Sequence, residues 1–220
     1  MSSNFAVEPG NDVDIGQHNN VTGAVIGKGN RIRIAPTIYR PHIDLRVRGN
    51  NNNIVIGANN AAKSLTIFVG NHFPANDVNL TIGDDFSCEP DCKFFVFNSK
   101  NVVTIGNDCM FSNSIILRAG ESPHLIFDAE TGDYIDVSEG IFIGDHVWVG
   151  ERAYITKRVT IPNESIVAAC AVVTKRFDEE HCVIGGNPGK IVRSGVKWVR
   201  NHSKFVEGDK YQQGYDRHHG

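Results

Sequence analysis

Apolar residues recur every six positions along one stretch of the chain. From residue 143 the sequence divides into the hexads IGDHVW, VGERAY, ITKRVT, IPNESI, VAACAV and VTKRFD. The first position is always Ile or Val, and the fifth position of the first five hexads is Val, Ala or Ser. This period matches neither the 3.6-residue repeat of a helix nor the two-residue alternation of a half-buried strand.

A three-sided coil accounts for the period, because each hexad then supplies one short strand and one corner. Three hexads complete a turn of 18 residues, and equivalent positions stack at about 4.8 Å, the usual spacing between strands. The aliphatic first positions fill the interior, and the small fifth positions fit the narrow space beside a corner. Gly and Asn tolerate left-handed backbone angles, so the 22 Gly and the Asn-rich segment 50–53 indicate many tight corners. We predict an all-β parallel β-helix.

The same phrase recurs upstream as VIGKGN at 25, VIGANN at 55, TIGDDF at 81 and TIGNDC at 104. Ile105 and Ile143 are 38 residues apart, which we interpret as two coils plus two residues, with residues 118–140 out of register. This segment is predicted to be a loop thrown out from the prism, and solenoids tend to carry binding function on such excursions.

The periodicity ends after residue 176. The segment GVKWVRNHSKF (195–205) predicts a short helix with Val196, Trp198 and Val199 facing inward, and the last ten residues read as a frayed tail. We therefore divide the chain into a β-helix over 1–194 and a C-terminal helical cap and tail over 195–220.

Composition and charge narrow the class of protein. A formal net charge of −3 argues against a nucleic-acid partner. The N-terminus has neither the basic start nor the apolar run of a secretory signal, and no stretch approaches the roughly 18 apolar residues of a membrane span. The five cysteines form no CxxC pair, which favours reduced thiols. We expect a cytoplasmic protein without a transmembrane segment.

The predicted loop carries a specific wording, RAGESPHLIFDAETGDYIDVSEG followed by IFIGDHVWVG. This stretch resembles the bacterial polysaccharide and sialic-acid O-acetyltransferases, which are hexapeptide-repeat acyltransferases. The resemblance is strongest from about residue 103 to 198, and residues 1–100 match in repeat style only. It implies left-handed coils, acetyl-CoA as co-substrate, a carbohydrate acceptor, and a homotrimer with active sites between subunits.

The resemblance places a general base at His124 and a further active-site residue at Trp148, 24 positions later. A neutral imidazole takes the proton from a sugar hydroxyl as it attacks the thioester, so no covalent intermediate is needed. The resulting oxyanion requires N–H donors from the backbone or from the Trp148 indole. Glu121 or Asp128 is expected to orient His124, although Asp128 is equally suited to holding the loop in shape.

The resemblance also implies a donor site in the C-terminal coils. Ala169 and Thr174 are expected to line the path of the pantetheine arm. Lys175, Lys190 and Arg193 are expected to meet the phosphates of CoA, since long cations suit phosphate oxygens. Their alternative role is that of ordinary solvated surface residues.

Three other functions fit the same prism. An N-acyltransferase acting on an amino-sugar nucleotide also uses a histidine base but usually lacks this loop wording. A metalloenzyme of the γ-carbonic-anhydrase type needs three converging His ligands, and His72, His124 and His146 share no repeat register, so no metal is expected. His146 lies at a corner and favours an exposed or structural role. A non-catalytic solenoid does not explain the loop.

Overall fold

The computed structural model describes residues 4–219, in which parallel strands wind into a three-sided solenoid. The predicted domains include residues 1–3 and 220, which lie outside the described residues. Sheet A, the first face, consists of the strands β1 (Phe5–Val7), β3 (Asn20–Ile26), β5 (His42–Arg48), β8 (Leu65–Val69), β11 (Cys92–Val96), β14 (Ile116–Ala119), β17 (Tyr154–Thr156) and β20 (Val172–Val173).

The second and third faces are sheets of seven strands each. Sheet B consists of β2 (Asp12–Ile15), β4 (Arg31–Ile34), β6 (Asn53–Ile56), β9 (Asn79–Ile82), β12 (Val102–Ile105), β15 (Ile141–Ile143) and β18 (Val159–Ile161). Sheet C consists of β7 (Ala61–Ala62), β10 (Ser87–Cys88), β13 (Met110–Phe111), β16 (Trp148–Val149), β19 (Ile166–Val167), β21 (Val183–Gly185) and β22 (Lys190–Arg193). Strand β22 pairs antiparallel with β21, and all other pairs are parallel.

The interior is filled as the hexads predict. Every first position from Ile143 to Val173 is buried, and so is every fifth position from Val147 to Ala171. Fifteen non-glycine residues adopt positive φ angles, and the tight corners of the coil account for them. The predicted left-handed parallel β-helix is confirmed.

The N-terminal coils are longer than 18 residues, which is why the hexad period fades there. Val25 pairs with Val47 and Val47 with Val69, so each of these coils takes 22 residues, and Val69 pairs with Val96 after 27. The additional residues lie in wider corners, while the inward positions keep their register.

The interpretation of the 38-residue interval as two coils plus two residues is wrong. Ile105 pairs directly with Ile143, so the interval is one coil of 18 residues with an insertion of 20. Strand β14 ends at Ala119 and β15 begins at Ile141. The insertion, residues 120–140, is called the excursion below, and it leaves the prism where sheet A passes into sheet B.

The predicted helix over 195–205 is also wrong, although Trp198 is buried as expected. This part is extended and contains a single 3₁₀ turn at His202–Lys204, and the helix α1 lies further on at Lys210–His219. The extended part reaches three successive coils through the contacts Lys197–Glu164, Trp198–His146 and Arg200–Asp108. Two coil spacings are about 10 Å, which three extended residues span and three helical residues do not.

Candidate active site

The excursion is folded into a short hairpin. Phe127 and Tyr134 form an antiparallel bridge, and their rings pack edge to face at 5.6 Å. The Ile135 N–H donates to the Ile126 carbonyl at 2.9 Å. The backbone of the two strands therefore satisfies itself, and the hairpin has a defined shape although it projects from the prism.

Asp128 holds the tip of this hairpin. Its Oδ1 accepts the backbone N–H groups of Glu130 at 2.9 Å and Thr131 at 2.8 Å. Hydrogen bonds from these N–H groups, Thr131 first, lower the pKa of the Asp128 carboxyl. Of its two expected roles, the geometry favours shaping the loop, because this oxygen binds the turn of the hairpin.

Asp136 is the buried polar centre of the excursion, with 1% of its surface exposed. One carboxylate oxygen accepts the Glu121 N–H at 3.2 Å and the Tyr134 hydroxyl at 3.4 Å. The other forms an ion pair with Lys157, which lies one coil further along the prism. Burial, as the largest influence, lowers the pKa of Lys157. Asp136 thus ties the outgoing leg, the returning leg and the prism together.

Further side chains of the prism hold the two legs. Asn98 Oδ1 accepts the Ser122 N–H at 3.0 Å on the outgoing leg. Arg158 donates to the carbonyls of Ile135 and Val137, both at 2.9 Å, on the returning leg. The excursion is therefore anchored by the coils before and after it.

His124 lies on the outgoing leg, where its side chain is exposed. Its backbone N–H donates to the Glu121 carbonyl at 3.0 Å. Within residues 4–219 its imidazole forms no hydrogen bond, and the Glu121 carboxylate instead accepts from Arg118 Nε at 2.8 Å. Neither Glu121 nor Asp128 orients the imidazole in a single chain.

Trp148 lies on β16, on the outer surface of sheet C, and is half-buried. Its indole Nε1 donates to Ser112 Oγ at 3.3 Å, and its ring centroid is 6.2 Å from that of Trp198. In a triangular coil, the corner between sheets A and B is opposite sheet C. His124 and Trp148 therefore lie on opposite sides of the same prism.

The residues expected to bind the donor are divided in the same way. Thr174 and Lys175 follow β20 at the corner between sheets A and B, the corner that carries His124. Ala169 lies at the corner between sheets C and A, close in register to Trp148. These three side chains are exposed, so small and basic groups suited to a pantetheine and phosphates are accessible on both sides.

Lys190 and Arg193 are at the C-terminal end of sheet C, on β22. Both are exposed, and within the described chain neither forms an ion pair. They are free to meet phosphate oxygens, as expected for the far end of a CoA site.

His146 occupies the corner before β16 with a φ of 51°. Its Nδ1 lies 2.7 Å from Asp108 Oδ2, and its ring stacks on Trp198 at 3.9 Å. The Trp198 indole in turn donates to the His146 carbonyl at 2.9 Å. His146 therefore fastens the C-terminal segment to the prism, in agreement with the structural role favoured from the sequence.

A groove runs along sheet C from Trp148 toward the N-terminal coils, and we call it the sheet C groove. It encloses about 660 Å³. Its floor is formed by Ala61, Ser87, Met110 and Trp148, which stack on successive strands. Arg200 and Asn201 form one wall, Lys63, Glu89 and Ser112 the other, and residues 39–41 close the N-terminal end.

Two groups of residues at this site escaped the sequence analysis. Asp136 lies within the quoted loop wording, but one acidic residue among several in a polar loop gives no signal of burial. Arg200 reaches Ser87 Oγ and Asp108 across about a hundred residues of sequence. The signal that was available is the apolar Trp198 beside basic residues, in a segment beyond the repeats.

Other chemistry has little support in the described chain. Residues 4–219 contain no group of three or more His, Cys, Asp or Glu side chains that could hold a metal ion. Cys88 and Cys92 are buried core residues as predicted, and burial raises the pKa of Cys109 to about 12. Cys170 is exposed at the corner beside Ala169. No helix in this range is long and apolar enough to span a membrane.

Comparison with known proteins agrees with this geometry. No protein-family model matches the sequence. A polysialic acid O-acetyltransferase from Neisseria meningitidis is 31% identical over 202 residues, which cover 82% of this chain and 92% of that protein. The chain belongs to the polysialic acid O-acetyltransferase family.

Other members of this polysialic acid O-acetyltransferase family support the assignment. The Escherichia coli O1:K1 protein is 33% identical over 123 residues, which span 56% of this chain and 39% of that protein. The crystal structure of the polySia-specific acetyltransferase NeuO superposes with a TM-score of 0.79 at 25% identity over 98% of this chain and 91% of the other. That of the polysialic acid O-acetyltransferase OatWY gives a TM-score of 0.70 at 25% identity over 96% and 97%.

Proposed function

We propose that this chain transfers an acetyl group from acetyl-CoA to a hydroxyl of a sugar in a capsule or another bacterial surface polysaccharide. One observation carries the proposal: His124 and Trp148 lie on opposite sides of one prism, so two copies together form a complete site. Since acetyl-CoA is an intracellular metabolite, we expect the reaction to take place in the cytoplasm.

A closed ring of copies brings the two halves together. Each copy would place its His124 corner against sheet C of the next, and such a head-to-tail contact closes into a ring. The excursion offers exposed apolar surface for this contact, with Leu125 65% and Phe127 51% exposed. We propose three copies per ring, as the family resemblance implies.

The residues then divide the chemistry between them. The thioester supplies an activated acetyl group, and His124 accepts the proton of the attacking hydroxyl. The oxygen–carbon bond forms as the carbon–sulfur bond breaks, and the proton passes from His124 to the departing thiolate. The indole N–H of Trp148, or a backbone N–H beside it, stabilises the negative charge on the carbonyl oxygen. Lys175, Lys190 and Arg193 pair with the donor phosphates.

Thiol release from acetyl-CoA in the presence of polysialic acid tests the reaction. We expect acceptor-dependent release that falls by about 10²-fold or more in His124→Ala, the usual effect of losing a general base. Amino sugars offered in parallel should be poor acceptors. Release that requires an amino group would favour the N-acyltransferase instead, and release unchanged in His124→Ala would remove His124 from the mechanism.

A mixing experiment tests the shared site. His124→Ala and Trp148→Ala chains, each inactive alone, are unfolded together and refolded as random trimers. Each site needs His124 from one copy and Trp148 from the next, so about a quarter of the sites are intact at equal mixing. Activity near a quarter of wild type supports the proposal, whereas no recovery means that both residues act within one chain.

A further inference from the structure

We infer that the sheet C groove binds the carboxylate-bearing sugar units of an anionic polysaccharide acceptor. The inference rests on the proposed acetyl transfer and names the residues that select the acceptor. It follows from the position of the groove, its dimensions and its charge.

The groove has the dimensions of a chain-binding site. Its floor extends over three strand spacings between Ala61 and Trp148, which is about 14 Å. Its volume of about 660 Å³ lies within the usual range for ligand pockets. It is an open trough along the prism, which suits a polymer more than a compact small molecule.

The position of the groove separates the acceptor from the donor. The residues expected to bind acetyl-CoA, from Ala169 to Arg193, all lie C-terminal to Trp148 along the solenoid. The groove lies on the N-terminal side of Trp148. The two substrates would approach Trp148 from opposite directions, and an acceptor hydroxyl at the head of the groove would be next to the thioester.

The charge of the groove is the reverse of that of the whole chain. Three cations line it, Arg40, Lys63 and Arg200, against one acid, Glu89, while the chain carries a net charge of −3. Arg40 is exposed and forms no ion pair within residues 4–219. Lys63 is also exposed, and its ion pair with Glu89 leaves it accessible. Asp108 pairs with Arg200 from behind and fixes it in the wall. Exposed guanidinium and ammonium groups of this kind bind carboxylates.

Tryptophan fluorescence offers a binding assay that does not depend on catalysis. The chain has two tryptophans, and both lie at the head of the groove, with ring centroids 6.2 Å apart. Polysialic acid fragments should change this fluorescence, and fragments whose carboxylates have been reduced to alcohols should bind about tenfold or more weakly. Equal binding of both fragments would contradict the inference.

Variants of the two accessible cations identify the site. Arg40→Gln and Lys63→Gln should each weaken fragment binding and raise the acceptor KM by about three- to tenfold, with kcat and the KM for acetyl-CoA unchanged. Lys93→Gln is the matched control, since Lys93 on sheet A forms an exposed ion pair with Asp91 at the same 2.7 Å as Lys63 with Glu89. It should leave binding and activity unchanged.

The outcomes separate this inference from the proposed function. If wild type acetylates polysialic acid but Arg40→Gln and Lys63→Gln match Lys93→Gln, the groove is not the acceptor site although the activity stands. If the two variants instead dissociate the oligomer without changing the acceptor KM, the groove is a contact between copies and the inference is overturned. If fragments bind in the groove but no acetyl transfer occurs, the proposed function fails and the binding site remains.

Discussion

Replacing Asp136 by Asn tests whether the excursion must be anchored for the reaction. The amide keeps the shape of the side chain but removes the charge, and it leaves Lys157 without its carboxylate. The Asp136 side chain is fully buried and that of Lys157 is 19% exposed. Removing one partner of a buried ion pair costs about 3–5 kcal/mol, and the partial exposure of Lys157 places the expected cost near 3 kcal/mol.

This cost should appear as loosening of the excursion, because the hydrophobic interior of the prism does not involve Asp136. About 3 kcal/mol shifts the equilibrium between anchored and detached forms by about a hundredfold. We expect kcat to fall by about 10- to 100-fold, with the KM for acetyl-CoA nearly unchanged. Amide hydrogen exchange should accelerate over residues 120–140 and remain slow in the strands.

Asp133→Asn is the matched control, since Asp133 is an exposed acid of the same hairpin whose side chain accepts from the Thr131 hydroxyl. It should keep nearly full activity. The double variant Asp136→Asn/Lys157→Met should recover part of the loss because no unpaired charge remains. Full activity and unchanged exchange in Asp136→Asn would refute this account of the loop, and so would an equal loss in Asp133→Asn.

Further predictions concern other parts of the chain. Native protein should react with a thiol reagent at one site per chain, Cys170, since the other four cysteines are buried; two or more fast sites in a titration would contradict the fold. Gly49→Ala should destabilise the protein by several kcal/mol in denaturant unfolding, about 3 or more, because its Cβ would lie 1.8 Å from the Ala75 carbonyl oxygen; a loss below about 1 kcal/mol would be inconsistent with that contact. Asp128→Asn should change kcat by less than about threefold and accelerate exchange at the hairpin tip. Since the folded carboxyl of Asp128 has a lowered pKa, its contribution to the tip is present above the ordinary pKa and is lost as the pH falls through the lowered value; a tip that is equally ordered at pH 2 and pH 7 would contradict this sign.

The regular coils could be predicted from the sequence because each inward position is specified locally. Ile143, Ile155 and Val173 lie at the predicted hexad positions and are buried. The 38-residue interval defeated the same reasoning, because one coil plus an insertion of 20 differs by only two residues from two coils. Periodicity counts residues, and it does not show whether residues stay on the prism.

The site was predictable only in part, for a related reason. The loop wording indicates His124 and Trp148, but sequence distance does not show that they lie on opposite sides of the prism. The environment of Asp136 depends on Lys157 in the following coil, and that of Arg200 on residues about a hundred positions earlier. Such long-range polar contacts leave no periodic trace, since each involves a single side chain from each partner.

The stacked construction of sheet C makes the groove a ruler with units of one coil. Each coil packs mainly on its two neighbours, so a coil gained or lost on the N-terminal side of Trp148 would change the groove length by about 4.8 Å. The chemistry at Trp148 would not move. Proteins of this construction can therefore match different acceptor lengths by the number of coils while keeping one reaction centre.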